Sequence, residues 1–310
     1  MRSRSFASAA ALIALAALPG LGLSQVVSQA TVPLIVEGNR PFVMLTFRKP
    51  DGSTNTARFL LDTGGGGFLI TEPLARELGL TWGDVESEEG MQFAVVKTLP
   101  TVSVGDLQLR LNPERTLAVL GRDNILPAAA TVKAEGVLPG HVLSQYEVVF
   151  DYPGHSLTIA LPNTLTHSGT GMPMPVGPRS GFPRTEITVN GNSYGMLLDT
   201  GASFTMVSET LLKALGEQHP DWERHTGAFG EAATLGGQTL ETMFLPGATW
   251  GAQTVPRFGI VSQKAGTFER YMSQMMAAPI VGSLAGNVLK GFRLDLDYAH
   301  QMLYVTPGGG

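Results

Sequence analysis

The chain has 310 residues, 43% hydrophobic and 15% charged, with 38 Gly, 20 Pro and no Cys. That length allows one large domain or two units of about 150 residues each, and glycine at this level without a triplet repeat points to many turns and a β-rich globular chain. A net charge of −5 speaks against a nucleic-acid partner. The lack of cysteine excludes disulfides, thiolate metal sites, a cysteine nucleophile and a lipid-modified cysteine, so any chemistry must use oxygen or imidazole groups.

Arg2 and Arg4 precede an apolar, Ala-rich run from Ala9 to Leu18 that is broken by Pro19 and Gly20. This is the order of a secretory signal peptide, expected over residues 1–30, with cleavage after Ser24 or after Ala30. The run is short for a membrane-spanning helix, and no later segment is long and apolar enough to span. The expectation is an exported chain, periplasmic or extracellular, with no stable membrane insertion after cleavage and no disulfide stapling.

The chain then repeats itself. Phe59-Leu60-Leu61-Asp62-Thr63-Gly64 returns 137 positions later as Met196-Leu197-Leu198-Asp199-Thr200-Gly201. Phe68 to Glu72 with Leu74, Leu78 and Gly79 is echoed by Thr205 to Glu209 with Leu211, Leu215 and Gly216. Each echo reads as a short helix that Thr71 or Ser208 can cap and a glycine closes. Further on, Gly136, Leu138, Gly140 and Asp151-Tyr152 return as Gly282, Leu284, Gly286 and Asp297-Tyr298 at an offset of 146, which places nine inserted residues after Gly216 in the second copy.

Hairpin signals precede each Asp-Thr-Gly. Phe42 to Phe47 turns at Pro50-Asp51-Gly52 and returns to Leu61. Thr185 to Val189 turns at Asn190-Gly191 and returns to Leu198. Thr101 to Leu111, Tyr146 to Leu161 and Phe292 to Val305 also read as strands. Residues 162–183, rich in Pro, Gly, Ser and Thr, read as a linker. The expected organisation is therefore an N-terminal lobe at 31–161, the linker and start of the second lobe at 162–183, a C-terminal lobe at 184–306 and a tail at 307–310.

A lone Asp-Thr-Gly is a plain turn after a strand, and by composition the triplet occurs about 0.1 times per chain. Two copies with matching flanks call for another account. An aspartate at the end of an apolar strand needs donors, and the glycine beside it permits close backbone approach. If the copies face each other about a pseudo-twofold axis, Asp62 and Asp199 meet there, share one proton and titrate as a unit. Such a pair suits general acid–base work on water.

These residues resemble the pepsin-like and retropepsin-like aspartic peptidases, over nearly all of residues 31–306. The resemblance implies a mostly β, bilobal fold of double-psi β-barrel type with pseudo-twofold lobes and short helices. It implies catalytic roles for Asp62 and Asp199, support of the catalytic loops by Thr63, Gly64, Thr200 and Gly201, and an inter-lobe cleft for extended peptide. The implied activity is an aspartic endopeptidase, monomeric and without metal or organic cofactor. The alternative is a non-catalytic peptide- or protein-binding member of the same fold.

The chain departs from the family in three places. Gly65 and Ala202 follow the triplets where many pepsin-like enzymes carry a hydroxyl. The late motifs read Val137-Leu138-Pro139-Gly140 and Ser283-Leu284-Ala285-Gly286. No tyrosine lies between Asp62 and the first late motif, so the flap, expected around Glu88-Glu89-Gly90, lacks the pepsin tyrosine. The stretch before Thr31 is too short for a cleft-covering pro-segment, so no zymogen of the pepsin kind is expected.

Other motifs have simpler readings. Gly191 to Gly195 matches a serine-hydrolase elbow but is followed by a strand, not a helix. Gly64 to Gly67 lacks the Gly-Lys-Ser/Thr of a phosphate loop. His141, His155, His167, His219, His225 and His300 show no i, i+4 pair and no acidic companion at metal-ligand spacing, so they are expected on the surface or in loops. Met172, Met174, Met272, Met275 and Met276 are expected to fill core rather than to line a cleft.

Overall fold

The computed structural model describes residues 27–49, 51–88, 91–98, 100–126, 132–226, 234–235, 238–239 and 241–308. Most of the expected signal segment lies outside the described residues, as do Glu89 and Gly90 of the expected flap. The described residues are mostly β, in three large sheets and one two-stranded hairpin.

The expected strands form, and several split into hairpins. Val43, Leu45 and Phe47 are buried on one side of strand Arg40–Arg48, while Met44 is exposed. This alternation is what a sheet with one covered face requires. The strand pairs antiparallel with Thr54–Asp62. Asn190 and Gly191, at φ 47° and 80°, turn Arg184–Val189 back into Asn192–Leu198. Two consecutive positive φ values are the hairpin geometry that Asn-Gly favours. Tyr146 to Leu161 resolves into Glu147–Asp151 and Ser156–Ala160, and Phe292 to Val305 into Phe292–Asp297 and Met302–Pro307.

The two sequence copies build the same sheet twice. The first sheet runs Glu86–Glu88, Met91–Val95, Thr116–Leu120, Phe68–Thr71, Gly136–Pro139, Thr54–Asp62, Arg40–Arg48, Thr101–Val104, Leu107–Gln108. Ile35–Glu37 pairs additionally with Arg40–Arg48. The second runs Arg224–Thr226, Glu241–Leu245, Phe258–Gln263, Thr205–Ser208, Gly282–Leu284, Asn192–Leu198, Arg184–Val189, Ala248–Trp250, Gln253–Val255. Each strand holds the same place as its counterpart. In both sheets the strand bearing the aspartate is parallel to the late Gly-containing strand, which is antiparallel to the strand after the Asp-Thr-Gly loop. The second copy adds the hairpin Thr234–Leu235/Gln238–Thr239, which accounts for the inserted residues.

A six-stranded sheet joins the copies, in the order Gln29–Pro33, Ser156–Ala160, Glu147–Asp151, Phe292–Asp297, Met302–Pro307, Gly171–Pro173. The two Asp-Tyr strands meet antiparallel at its centre, with Val149 opposite Asp295. Part of the stretch 162–183 is therefore strand rather than free connection, and Met174 within it is fully buried.

Two helix details differ from expectation. Ser208 Oγ accepts the Leu211 N–H at 3.1 Å, but Thr71 makes no side-chain cap, and its helix Glu72–Glu77 opens with Pro73 instead. Gly79, at φ 69°, closes that helix. Gly216 does not close the second, which runs Glu209–Gln218. The Arg224 guanidinium lies against Gly216 and donates to its carbonyl. Among the described residues no helix is long and apolar enough to cross a membrane.

The largest apolar cluster draws on all three big sheets, including Phe47, Phe59, Phe68, Val148, Leu294 and Trp250. Trp250 Nε1 donates to Thr185 Oγ1 at 2.7 Å, so its polar edge is satisfied inside the core. Where the late strand threads between two neighbours the packing is tightest. A Cβ on Gly136 would stand 2.3 Å from Leu69 O, and one on Gly282 2.3 Å from Met206 O, the equivalent atom of the second copy. Gly136→Ala and Gly282→Ala are each expected to destabilise the chain by about 1–3 kcal/mol, seen as a lower urea midpoint. Gly83→Ala, whose Cβ would meet nothing closer than 3.7 Å, should leave the midpoint almost unchanged.

Candidate active site

Each aspartate is carried to its place by a strand locked on both sides. Phe59 and Leu61 are buried, and Asp62 is the register partner of Pro139. Leu198, the residue before Asp199, pairs with Leu284. Beyond each aspartate the backbone turns back on its carboxylate. Gly64 N donates to Asp62 Oδ1 at 3.0 Å, and Ala202 N donates to Asp199 Oδ1 at 3.0 Å.

The two loops then interlock. Thr63 N donates to Thr200 Oγ1 and Thr200 N to Thr63 Oγ1, both at 3.1 Å. Each hydroxyl also donates a hydrogen bond to the opposite strand: Thr63 Oγ1 to Leu198 O at 2.5 Å, and Thr200 Oγ1 to Leu61 O at 2.7 Å. Both threonines have no exposed surface. The glycines complete the contact. A Cβ on Gly201 would lie 2.3 Å from Asp62 Cγ, and one on Gly64 would lie 3.3 Å from Asp199 Oδ1. Each carboxyl thus rests on the glycine of the opposite triplet. A side chain on Gly65 would come within 2.8 Å of Asp62 Oδ2, which gives the second glycine of the Gly64–Gly67 run its own steric reason.

Both carboxyls are partly buried, and both are pushed above the ordinary aspartate value. Burial is the main cause for each, and Asp62 also feels the charge of Asp199. The backbone N–H groups of Gly64 and Gly65 at Asp62, and of Ala202 and Gly201 at Asp199, pull the other way. So does Arg40, a residue the sequence reading passed over. It is 8% exposed, its Nε donates to Gly201 O at 2.9 Å, and its charge favours the ionised form of both aspartates. Only its place before an apolar strand hints at it in the sequence.

The turn that carries Arg40 reaches across to the second copy. Asn39 Nδ2 donates to Ser203 O at 3.2 Å, Lys290 Nζ donates to Asn39 Oδ1 at 2.9 Å, and Gly286 leaves no room for a Cβ against Asn39 O.

The late motifs brace the loops in the same way up to one position. Gly140 N donates to Gly65 O at 3.2 Å and Gly286 N to Ala202 O at 3.0 Å. The next residue differs. Asn287 Oδ1 accepts from Thr205 N and Thr205 Oγ1 at 2.7 and 2.9 Å, and its Nδ2 donates to Gly259 O at 2.8 Å. Its counterpart His141 is held neutral, with burial and then Arg115 lowering it to about 4. Support of the two loops is therefore unequal, and the second is tied more firmly.

Beside the first loop, a cavity of about 410 Å³ is lined by Gly66, Arg115, Phe182, Met275 and Met276 among others. Met174 is core as expected, and Met276 is both buried and cavity-lining. The strands Glu86–Glu88 and Met91–Val95 form the hairpin expected as a flap. The Gly191 to Gly195 stretch lies in the Asn190-Gly191 hairpin, not in an elbow. Of the histidines, His155, His225 and His300 are exposed. His167 lies in a connection, as expected, but away from the surface, for its side chain is only 9% exposed and faces three carboxylates. Those partners, Glu147, Asp295 and Asp297, come from distant strands, so no local spacing announces them.

A search of curated proteins returns no match. Residues 185–263 match the family model described as aspartyl protease, a span that begins in strand Arg184–Val189, the first arm of the hairpin that leads to Asp199, and ends with the strand Phe258–Gln263. This match supports an aspartic-peptidase-like family and, in general terms, a protease.

Proposed function

We propose that the chain is a two-lobed aspartic endopeptidase in which each sequence copy forms one lobe of a double-psi β-barrel kind and supplies one catalytic acid. The observation that carries this reading is the reciprocal threonine interlock, which sets Asp62 and Asp199 against the opposite triplet's glycine. Nothing in a plain pair of turns requires two carboxyls to be held so near each other. In the singly protonated pair, the ionised carboxylate takes a proton from water while the other carboxyl donates to the carbonyl oxygen of the scissile amide. The water oxygen adds to the carbonyl carbon. The C–N bond then breaks as the amide nitrogen gains a proton from the pair. No metal or organic cofactor enters these steps.

The substrate is an extended peptide or protein segment lying between the lobes under the hairpin Glu86–Glu88/Met91–Val95. With both acids in one chain, a monomer suffices. Export fits the charged and apolar pattern of the first residues. Gln29–Pro33 is a strand of the central sheet and Ala30 is buried in it, so cleavage after Ser24 spares the sheet whereas cleavage after Ala30 cuts into it. N-terminal sequencing of exported protein should begin at Gln25, and a start at Thr31 would contradict this.

Asp62→Asn and Asp199→Asn are each expected to lower the cleavage rate of a peptide library by roughly 10²–10⁴-fold with the circular dichroism spectrum unchanged. Peptide binding without hydrolysis in the unmutated chain would overturn the reading in favour of a non-catalytic binder. Thr200→Val leaves Thr63 N and Leu61 O without partners and should cost about 1–3 kcal/mol, whereas Thr200→Ser should keep most of the stability.

The pH dependence follows from the raised carboxyls. The singly protonated pair persists to a pH above the 3.8 of an ordinary aspartate, so the alkaline limb of the rate profile should lie above that value. Arg40→Gln removes a charge that favours ionisation and should move this limb to higher pH. Stability falls in the same direction. A carboxyl whose value is raised in the folded chain binds its proton more tightly there, so its contribution is full below 3.8 and is lost as pH rises through the raised value. Asp62→Asn is therefore expected to melt higher than the unmutated chain at pH 8, by roughly 2–4 °C for about 1 kcal/mol of relieved repulsion, with the gap closing at acid pH.

A further inference from the structure

The central sheet carries a second cluster of ionisable groups that the proposed reaction does not use. Glu147 opens strand Glu147–Asp151, Asp297 closes strand Phe292–Asp297, and the two are register partners. Glu147 is 1% exposed, Asp295 2% and Asp297 4%. Into this pair projects His167, from the connection between the two copies, its ring stacked on Tyr304 at 4.8 Å and 13°. Neither ring nitrogen of His167 has a hydrogen-bond partner.

The distances fit ligands around an ion better than hydrogen bonds. His167 Nε2 stands 3.7 Å from Glu147 Oε1 and 3.6 Å from Asp297 Oδ2, and the three ligand atoms all lie within 4.8 Å of one another. A hydrogen bond would draw each N–O pair to about 2.7–3.2 Å. Ligands about 2.1 Å from a tetrahedral ion sit roughly 3.4 Å apart, close to the observed spacing.

The surrounding groups orient these atoms as the second layer of a metal site does. Glu147 Oε1 accepts from Asn163 N at 3.0 Å, and Oε2 accepts from Thr164 N and Leu165 N at 3.0 and 2.7 Å. Asp297 Oδ1 accepts from His300 N at 3.0 Å, and its Oδ2 pairs with His300 Nδ1 at 2.8 Å. The other ring nitrogen of His167, Nδ1, faces Asp295 Oδ2 at 3.6 Å, the carboxylate that Arg293 Nε holds at 2.9 Å. A proton on Nδ1 directed at Asp295 leaves the Nε2 lone pair pointing at Glu147 and Asp297. Of the three buried carboxylates, Asp295 pairs with Arg293, which also pairs with Asp151, Asp297 pairs with the exposed His300, and Glu147 is held by backbone N–H groups. Such an excess of buried negative charge is costly unless a cation offsets it.

We propose that Glu147, His167 and Asp297 bind a divalent first-row cation of the zinc class, one nitrogen and carboxylate oxygens being a donor set such ions accept. The ion would fasten the connection between the copies to the two central strands, a structural role separate from Asp62 and Asp199 and independent of the proposed hydrolysis.

The test uses the full chain without a histidine tag, stripped with EDTA and titrated with Zn²⁺ in a calorimeter, with Mg²⁺ as the comparison. One equivalent of Zn²⁺ should bind, raise the melting temperature by several degrees, and be displaced by EDTA. Co²⁺ in its place should give visible absorption bands. His167→Phe, which keeps a ring to stack on Tyr304, should abolish the binding, the thermal shift and the bands. Asp295→Asn, which touches no proposed ligand atom other than through His167, should weaken binding by about 10–100-fold and serves if His167→Phe fails to fold. A melting temperature indifferent to Zn²⁺, as expected were His167 a protonated counter-ion, would overturn the proposal. So would Zn²⁺ binding that is unchanged in His167→Phe or in Asp295→Asn.

Discussion

Two carboxyl groups repel when ionised, and a site that needs them together must hold them by something other than their own attraction. The reciprocal bonds of Thr63 and Thr200 supply that hold. Each hydroxyl accepts from the backbone of the opposite loop and donates to the strand that leads into it, so neither loop is complete without its counterpart. The remaining architecture follows from keeping those two turns still. The parallel late strand beside each aspartate fixes the strand end, Gly140 and Gly286 bring the short late helices onto the loops, and the Asn39–Arg40 turn crosses from the first copy to the second. Removing water from such a site raises the cost of ionisation, and that same cost keeps a proton within the pair.

Arg40 tempers this arrangement. A buried cation next to two carboxyls could neutralise their tendency to share a proton. Here, however, its Nε is held by the backbone carbonyl of Gly201, and both carboxyls stay raised despite its field. Burial therefore outweighs Arg40, and the guanidinium moderates the pair without ionising it. Its bond to Gly201 also fixes the glycine on which Asp62 rests, so electrostatics and positioning act through one side chain.

Much of this was legible in the sequence because its signals are local. The Asp-Thr-Gly copies, the Asn190-Gly191 turn and the paired Gly136 and Gly282 each state a backbone requirement within a few residues, and the change of offset marked the extra hairpin. What escaped depends on partners far along the chain. Arg40 acts on a loop 161 residues away, and His167 meets Glu147 and Asp297 only once two distant strands pair. Gly216 reads as a helix stop by analogy with Gly79, yet its helix runs on to Gln218. A residue type alone does not disclose whether it ends a helix or lies within one.

The departures between the copies show what a single chain gains over a pair of identical ones. With identical halves, the two aspartates would have equal surroundings and the shared proton no preferred seat. Here the 3.0 Å backbone bond to the first carboxylate comes from Gly64, two residues on, and that to the second from Ala202, three residues on, while Gly65 and Gly201 also favour the ionised forms. The second loop is tied by Asn287 to Thr205 and Gly259, while the first has His141 at the same place, too buried to charge near neutral pH. Arg40 enters from one copy only. In the proposed hydrolysis a singly protonated pair already has one group that gives its proton and another that takes one, and unequal surroundings set which of the two holds it. The repeat builds the frame, and its imperfections distinguish the two carboxyls within it.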